Sequence, residues 1–246
     1  MASVEQIEEI PEARAWSAAV TGPAPRFDRV ARLYRAMEYL SFGPMLERCR
    51  FHHVPDVTHS RRALTLGDGD GRFLARLLTA HPNLQADAVD TSPAMLRLLR
   101  TRVVRLGAHH RLTAICADAR TFEPSQTYDL VCTHFFLDCL TEPEADHLIA
   151  RLSRHLTPGT QWLVSEFQVA SGNRLRGWLS GGIISGLYTA FRLLTGLEVR
   201  RIPPWRALLT RHGFTRKATR NWLGGLLVAE LWELTKTTAP RCGPRN

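Results

Sequence analysis

The most constraining feature of this chain is a short, mostly apolar run that leads directly into three alternating glycines. Residues 63–66 form the run, Gly67, Gly69 and Gly71 follow at every second position, and apolar residues recur at helical spacing from Phe73. This order predicts a strand, a glycine turn and a helix. Glycine allows positive φ and close approach of a ligand, and the free N–H groups of a helix N-terminus favour an anionic group. The segment therefore predicts a ligand site in an α/β fold.

A second segment supplies the acidic residue that a nucleotide site needs. Asp90 closes the next apolar run and is expected at the carboxyl end of a second strand, where its carboxylate can accept hydrogen bonds from ribose hydroxyls. Ser92 and Pro93 then predict a helix start, as N-cap and first helical residue. Arg72 stands where a dinucleotide fingerprint would carry its third glycine, which argues against a nicotinamide cofactor.

These motifs resemble those of the class I S-adenosylmethionine-dependent methyltransferases. The resemblance rests on the glycine turn, on the D-x-S-x-x-M-L order of residues 90–96, on 116–119 and on the strand-like run 128–134, and it covers about residues 26–235. It implies S-adenosylmethionine as the cofactor. Carried over position by position, it implies cofactor-binding roles for Tyr34, Gly67, Asp68, Gly69, Gly71, Asp90, Thr91, Asp118, Ala119 and His134.

A closer resemblance, to quinone-pathway methyltransferases, rests on residues 27–34 and on the distal residues 213–214 and 221–228, which are less specific than the cofactor motifs. Residues 27–34 look like the lid helix of quinone-pathway methyltransferases, in which Tyr34 would face the cofactor, and an ordinary amphipathic helix face is the alternative. Thr65 departs from the family pattern, which often has an acidic residue two places before the first glycine. Thr65 lacks the carboxylate that usually contacts the methionine end of the cofactor, and Asp68 is the nearby acidic residue.

Five strand-like runs recur at the intervals of an α/β fold and predict parallel pairing. These runs are 63–66, 85–89, 112–116, 128–134 and 161–166, and two more, 214–220 and 226–233, predict a terminal antiparallel hairpin. We therefore expect an α/β fold with a Rossmann-like, doubly wound, mostly parallel seven-stranded sheet that ends in a C-terminal antiparallel hairpin.

The chain is expected to form one methyltransferase domain over residues 26–236, with a flexible leader at 1–25 and a flexible tail at 237–246. An apolar lid insertion is predicted at about 168–200, because residues 178–197 carry a single charged side chain. Glycines interrupt this run and arginines flank it, which favours a buried or interfacial helix over a membrane span. An apolar lid indicates an apolar substrate and leaves peripheral membrane contact open.

Composition narrows the class of partner. The formal net charge is +9, but the basic side chains are dispersed, so a small-molecule substrate is expected and no nucleic acid. The five cysteines include no C-x-x-C pair, and the acidic start of the chain lacks a signal-peptide pattern, which favours a cytoplasmic location. Adjacent histidines at 52–53 and 109–110 lack metal-ligand spacing, so no metal is expected. The oligomeric state stays open.

His134 and Asp138 are the candidate catalytic residues. Methyl transfer from a sulfonium is an in-line displacement that depends mainly on positioning, and proton removal helps some acceptors. His134 ends the fourth strand and could accept that proton, or it could be a structural histidine. Asp138 could orient His134 or cap the next turn. Glu166 ends the fifth strand as a third carboxylate, although a strand-end glutamate is usually solvated.

The favoured interpretation is S-adenosylmethionine-dependent methyl transfer to a small, hydrophobic or amphipathic acceptor. Two alternatives are a nicotinamide-dependent Rossmann oxidoreductase and a catalytically silent S-adenosylmethionine-binding interaction protein that docks through residues 178–197. The acceptor atom, whether oxygen, nitrogen or carbon, stays open at this stage.

Overall fold

The computed structural model describes residues 44–168 and 202–235, and these residues build one seven-stranded sheet. Its strands are β1 (Arg62–Leu66), β2 (Gln85–Asp90), β3 (Leu112–Cys116), β4 (Tyr128–His134), β5 (Leu156–Phe167), β6 (Phe214–Trp222) and β7 (Leu227–Leu234). The predicted leader and tail, Tyr34 and all of the lid insertion beyond Gln168 up to residue 200 lie outside the described residues.

The strand order across the sheet is β3-β2-β1-β4-β5-β7-β6. The pairs among β1 to β5 are parallel, whereas β7 runs antiparallel to both β5 and β6. This arrangement confirms the predicted α/β class, the mostly parallel sheet and the terminal antiparallel hairpin. The strand order reverses between β1 and β4, and in open α/β sheets the crevice at such a point, beyond the carboxyl ends of the strands, is where ligands bind.

β5 begins at Leu156 and not at residue 161, where the apolar run starts. Leu156 pairs with Tyr128, and the register then shifts before Leu130 pairs with Gln161. The Thr160 hydroxyl donates to the carbonyl of Tyr128 at 3.1 Å. The proline and glycine at 158–159 are therefore an irregularity inside the strand, which a pattern of turn residues does not predict.

Within the described residues, five α-helices accompany the sheet: α1 (Met45–Phe51), α2 (Arg72–Ala80), α3 (Pro93–Arg105), α4 (Glu142–Ser153) and α5 (Trp205–Arg211). The predicted N-cap of α3 is present, because Ser92 Oγ accepts a hydrogen bond from the Met95 N–H at 3.2 Å. The Thr-Glu-Pro-Glu order of residues 141–144 predicts a capping box at the start of α4, and the structure contains it. The Glu144 N–H donates to Thr141 Oγ1 at 3.4 Å, and the Thr141 N–H donates to Glu144 Oε2 at 2.9 Å.

The helices cover both faces of the sheet. Buried side chains of α2 and α3 pack on one face against Leu130 and Leu163, and those of α4 and α5 pack on the other against Val131 and Val164. Burial on both faces supplies the main stabilisation of such a sheet. The short helix α1 lies against the ends of β5 and β7, where it packs in a separate cluster that includes Phe167.

Candidate active site

The turn between β1 and α2 contains three left-handed glycines, and two of them are required by packing. Gly67, Gly69 and Gly71 have φ values of +66°, +63° and +78°, which L side chains rarely adopt. A Cβ on Gly67 would lie 2.5 Å from Cδ2 of Phe136, and one on Gly71 would lie 2.8 Å from Cα of Leu99. These two glycines allow the turn to pack against the loop after β4 and against α3.

Gly69 differs from its two neighbours because the space beside it is open. Among the described residues, a Cβ on Gly69 would meet only Sδ of Met95, at 3.9 Å. The backbone of the turn is therefore accessible at the position where a side chain would otherwise stand. We call this open space over Gly69, at the start of α2, the cradle. It fits a ligand that approaches the backbone closely.

Asp90 lies at the end of β2, beside this cradle, as predicted. One carboxylate oxygen accepts from the Gly69 N–H at 3.2 Å, and the other accepts from the Ser92 N–H at 2.8 Å. A carboxylate at the end of a strand beside a glycine turn is the type of group that accepts hydrogen bonds from ribose hydroxyls. Thr91 follows directly, and its carbonyl accepts a weak bond from the Cys116 thiol at 3.9 Å.

The loop after β3 holds Asp118 and Ala119, the residues expected beside adenine, and α4 fixes its shape. The guanidinium of Arg120 binds Asp118 at 2.7 Å and Glu144 at 3.1 Å. Arg151 is almost fully buried and donates to the carbonyls of Ala119 at 2.6 Å and Arg120 at 2.7 Å. No local sequence pattern predicts either role, because Glu144 lies 24 positions from Arg120 and Ala119 lies 32 positions from Arg151.

Asp68 lies within the glycine turn and accepts from the Leu74 N–H at 3.1 Å, so it caps the first turn of α2. Burial raises the pKa of the Asp68 carboxyl to about 7, and the nearby Asp70 and Asp90 carboxylates add to the rise. Asp70 itself is held by Arg102 at 3.0 Å. Two carboxyl groups, those of Asp68 and Asp70, thus lie within the turn, and that of Asp90 lies beside it.

The end of β4 is strained at Phe135. Its φ of +53° places a bulky side chain in the left-handed region, a state that costs about 1–3 kcal/mol and that concentrates at functional sites. The Phe135 N–H donates to the carbonyl of Ser165 at 2.7 Å, and the ring packs on Phe167 with centroids 4.9 Å apart. This conformation turns the Phe135 ring toward α1 and away from the strand direction.

His134 is buried and neutral. The Ser165 hydroxyl donates to the carbonyl of Cys49 at 3.3 Å, so its oxygen accepts from His134 Nδ1 at 2.9 Å, which assigns the proton to Nδ1. Burial and the charge of Arg50 lower the pKa of His134 well below its usual range. Nε2 is buried and has no hydrogen-bond partner among the described residues. The ring is thus a neutral acceptor and a weak base.

Asp138 does not orient His134, whose Nδ1 binds Ser165. It lies instead beside Glu166, and the expectation that Glu166 is solvated is wrong, because its side chain is fully buried. Glu166 Oε1 accepts from the N–H groups of Phe136 at 3.2 Å and Leu137 at 2.8 Å. Burial and the neighbouring Asp138 raise the pKa of Glu166 well above its usual range. Glu166 therefore shapes the loop after β4.

Neither a metal site nor a membrane-spanning helix is found in the described part of the chain. Residues 44–168 and 202–235 contain no group of three or more His, Cys, Asp or Glu side chains that could hold a metal ion. No helix within those same ranges combines the length and apolar character needed to cross a bilayer.

The comparison with known families decides what this site belongs to. Residues 63–159, from β1 into β5 and including the glycine turn, Asp90 and Asp118, match the family model described as a methyltransferase domain. This segment is a methyltransferase domain, which confirms the resemblance to the class I S-adenosylmethionine-dependent methyltransferases. The nicotinamide alternative is not supported, and Arg72, which opposed it, is the first residue of α2 and forms an ion pair with Glu47 at 2.7 Å.

Two curated relatives of this methyltransferase domain act on different acceptors. The malonyl-[acyl-carrier protein] O-methyltransferase of Halorhodospira halophila is 31% identical over 65% of this chain and 50% of its own length. The trans-aconitate 2-methyltransferase of Methylobacterium radiotolerans is 35% identical over 40% of this chain and 35% of its own length. The chain thus spans half the length or less of these two relatives.

Solved structures share the fold of the methyltransferase domain. One is NcsB1, an O-methyltransferase from neocarzinostatin biosynthesis in complex with S-adenosylmethionine and 2-hydroxy-5-methyl naphthoic acid. It superposes with a TM-score of 0.60 at 15% identity and covers 84% of this chain and 59% of its own. At that identity the similarity establishes the architecture only.

Proposed function

We propose that this chain transfers the methyl group of S-adenosylmethionine to a small, amphipathic acceptor. The observation that carries the proposal is the open cradle over Gly69, with the Asp90 carboxylate beside it. Asp90 would hold the ribose, and the loop with Asp118 and Ala119 would hold the adenine. When bound, the cofactor supplies an electrophilic methyl group on a sulfonium centre.

An amphipathic acceptor is supported by the apolar surface beside the end of β4. Met45, Phe135 and Trp222 are partly buried there against the cluster of α1, β5 and β7, so apolar surface stays accessible next to the site. The lid insertion, proposed over about residues 168–200 within a single domain of 26–236, would add further apolar surface. An acceptor with an apolar body and a polar reacting group suits such surroundings.

The acceptor atom that we propose is a carboxylate oxygen. The names of the two curated relatives give a malonyl group and trans-aconitate as acceptors. Both acceptors carry carboxylates that are ionised at neutral pH. An ionised carboxylate can take up a methyl group without losing a proton, so it needs no general base. This matches the state of His134, whose pKa lies well below its usual range. We propose that His134 contributes a neutral acceptor at Nε2 and does not remove a proton.

Replacing Asp90 with alanine is expected to weaken binding of S-adenosylhomocysteine by about 1–3 kcal/mol, the range for hydroxyls left without a charged partner. Isothermal titration calorimetry measures the change, and a thermal melt of the variant shows whether it is folded. Wild-type protein that binds a nicotinamide dinucleotide in preference to S-adenosylhomocysteine would refute the proposed function. Unchanged affinity in a folded Asp90→Ala variant would refute the role of Asp90 alone.

His134→Ala should lower turnover of a carboxylate acceptor by less than about tenfold, because no proton has to be removed in the reaction. A general base would instead contribute about 10²–10⁴-fold. Turnover with trans-aconitate and with other small carboxylic acids, followed by release of S-adenosylhomocysteine, measures the difference. A loss above about 100-fold with unchanged cofactor affinity would restore His134 as the base and favour a hydroxyl or amine acceptor.

We also propose a cytoplasmic location. The cysteines of the described ranges, Cys49, Cys116, Cys132 and Cys139, all have free thiols, as expected in a reducing compartment. Peripheral membrane contact through residues 178–197 stays a prediction, since that segment lies outside the described residues.

A further inference from the structure

Helix α1 brings a cation to the end of β4. Arg50 lies in the last turn of the helix and is half-buried. Its Cζ is 5.1 Å from the centroid of the Phe135 ring, within the range of a cation–π interaction. The strained backbone of Phe135 thus turns the face of its ring toward Arg50. The same ring is part of the apolar surface proposed to contact the acceptor.

The position of Arg50 is set by anchors on both sides of α1. On one side, Glu47 binds Arg72 at 2.7 Å, and Arg72 is the first residue after the glycine turn. On the other side, the carbonyl of Cys49 accepts from the Ser165 hydroxyl at 3.3 Å, and Ser165 also binds His134. Helix α1 is therefore held at its first turn to the residue after the glycine turn, through Glu47, and at its last turn to β5, through Cys49.

The charge of Arg50 acts on two titratable groups of the site, one at the end of β4 and one in the glycine turn. It lowers the pKa of His134, and it opposes the rise in the pKa of Asp68. Apolar neighbours lie in the same cluster as α1, with Phe167 buried and Met45 partly buried. A guanidinium in such surroundings favours an anionic ligand, because charge-assisted hydrogen bonds are stronger where water is partly excluded.

We propose that Arg50 binds the carboxylate of the acceptor beside the end of β4, which makes amphipathic carboxylic acids the substrate class. The inference rests on the proposed methyltransferase function and adds the residue that recognises the acceptor. A planar guanidinium matches the geometry of a carboxylate and can donate two parallel hydrogen bonds to it. The apolar side chains of Met45, Phe135 and Trp222 would contact the remainder of the acceptor.

Calorimetry with a charged and an uncharged probe tests this proposal. Octanoate and its neutral analogue octanamide are titrated into protein saturated with S-adenosylhomocysteine. Wild-type protein should bind octanoate more tightly than octanamide, and Arg50→Gln should weaken octanoate binding at least about tenfold while octanamide binding stays the same. Arg48→Gln is the matched control, since Arg48 lies in the same turn of α1 and is exposed, and it should leave both affinities unchanged.

A second pair of titrations tests whether Arg50 binds the carboxylate of the acceptor or the amino-acid carboxylate of the cofactor. S-adenosylhomocysteine carries an amino-acid carboxylate, and 5′-methylthioadenosine lacks it. Arg50→Gln should leave the affinity for both compounds unchanged. The proposal is overturned if octanoate binding does not depend on Arg50, if wild-type protein does not prefer octanoate, or if only S-adenosylhomocysteine binding falls. Failure of wild-type protein to bind S-adenosylhomocysteine would instead refute the proposed function.

Discussion

Gly69→Val is expected to weaken binding of S-adenosylhomocysteine by about 100-fold or more while the protein stays folded. The space beside Gly69 is open in the described residues, with Sδ of Met95 at 3.9 Å, so the valine side chain would stand in the cradle and not in the core. The loss therefore comes from exclusion of the ligand. Calorimetric titration measures the affinity, and circular dichroism shows that the fold persists.

Gly107→Val is the matched control for this experiment. Gly107 has a φ of +68°, close to the +63° of Gly69, and is exposed, with no atom within 4 Å of an added Cβ. It reproduces the backbone strain of a valine in the left-handed region without touching the site. Gly107→Val should bind S-adenosylhomocysteine like the wild type. Equal affinity in both variants would show that the space beside Gly69 does not hold the cofactor.

Gly71→Ala is expected to lower the free energy of unfolding by about 2–4 kcal/mol, as the sum of left-handed strain and overpacking. An alanine Cβ would lie 2.6 Å from Cγ and 2.8 Å from Cα of Leu99. Leu99 is buried, and a backbone atom of α3 cannot move aside as a side chain can. Urea denaturation, followed by circular dichroism, measures the loss.

Gly107→Ala again separates strain from packing, and it should lower the free energy of unfolding by only about 1 kcal/mol. If Gly71→Ala is no more destabilising than Gly107→Ala, the contact between the turn and Leu99 is not a determinant of stability. At temperatures where Gly71→Ala is folded, its affinity for S-adenosylhomocysteine should stay within about threefold of the wild type, because the cradle over Gly69 is preserved. The two glycine variants then affect different properties, one binding and the other stability.

The sequence by itself determined the features that depend on local pattern. Apolar runs bounded by turn residues predicted the seven strands, and the N-cap at Ser92 and the capping box at Thr141 predicted two helix starts that the structure contains. The position of Asp90 at the end of β2 followed from the same reasoning. Periodicity, capping and turn chemistry act over a few residues, so they are visible in the chain before it folds.

Only the tertiary structure decided which side chains meet at the site. Glu166 is buried, and it accepts from the N–H groups of Phe136 and Leu137, which lie 30 and 29 positions earlier in the chain. Arg50 contacts Phe135, which is 85 positions later in the chain, because α1 packs on the end of β5 and the start of β7. The three glycines look equivalent in the sequence, yet Phe136 and Leu99 contact two of them and leave Gly69 open. Such contacts depend on how elements that are distant in the sequence pack together, so a local sequence pattern does not predict them.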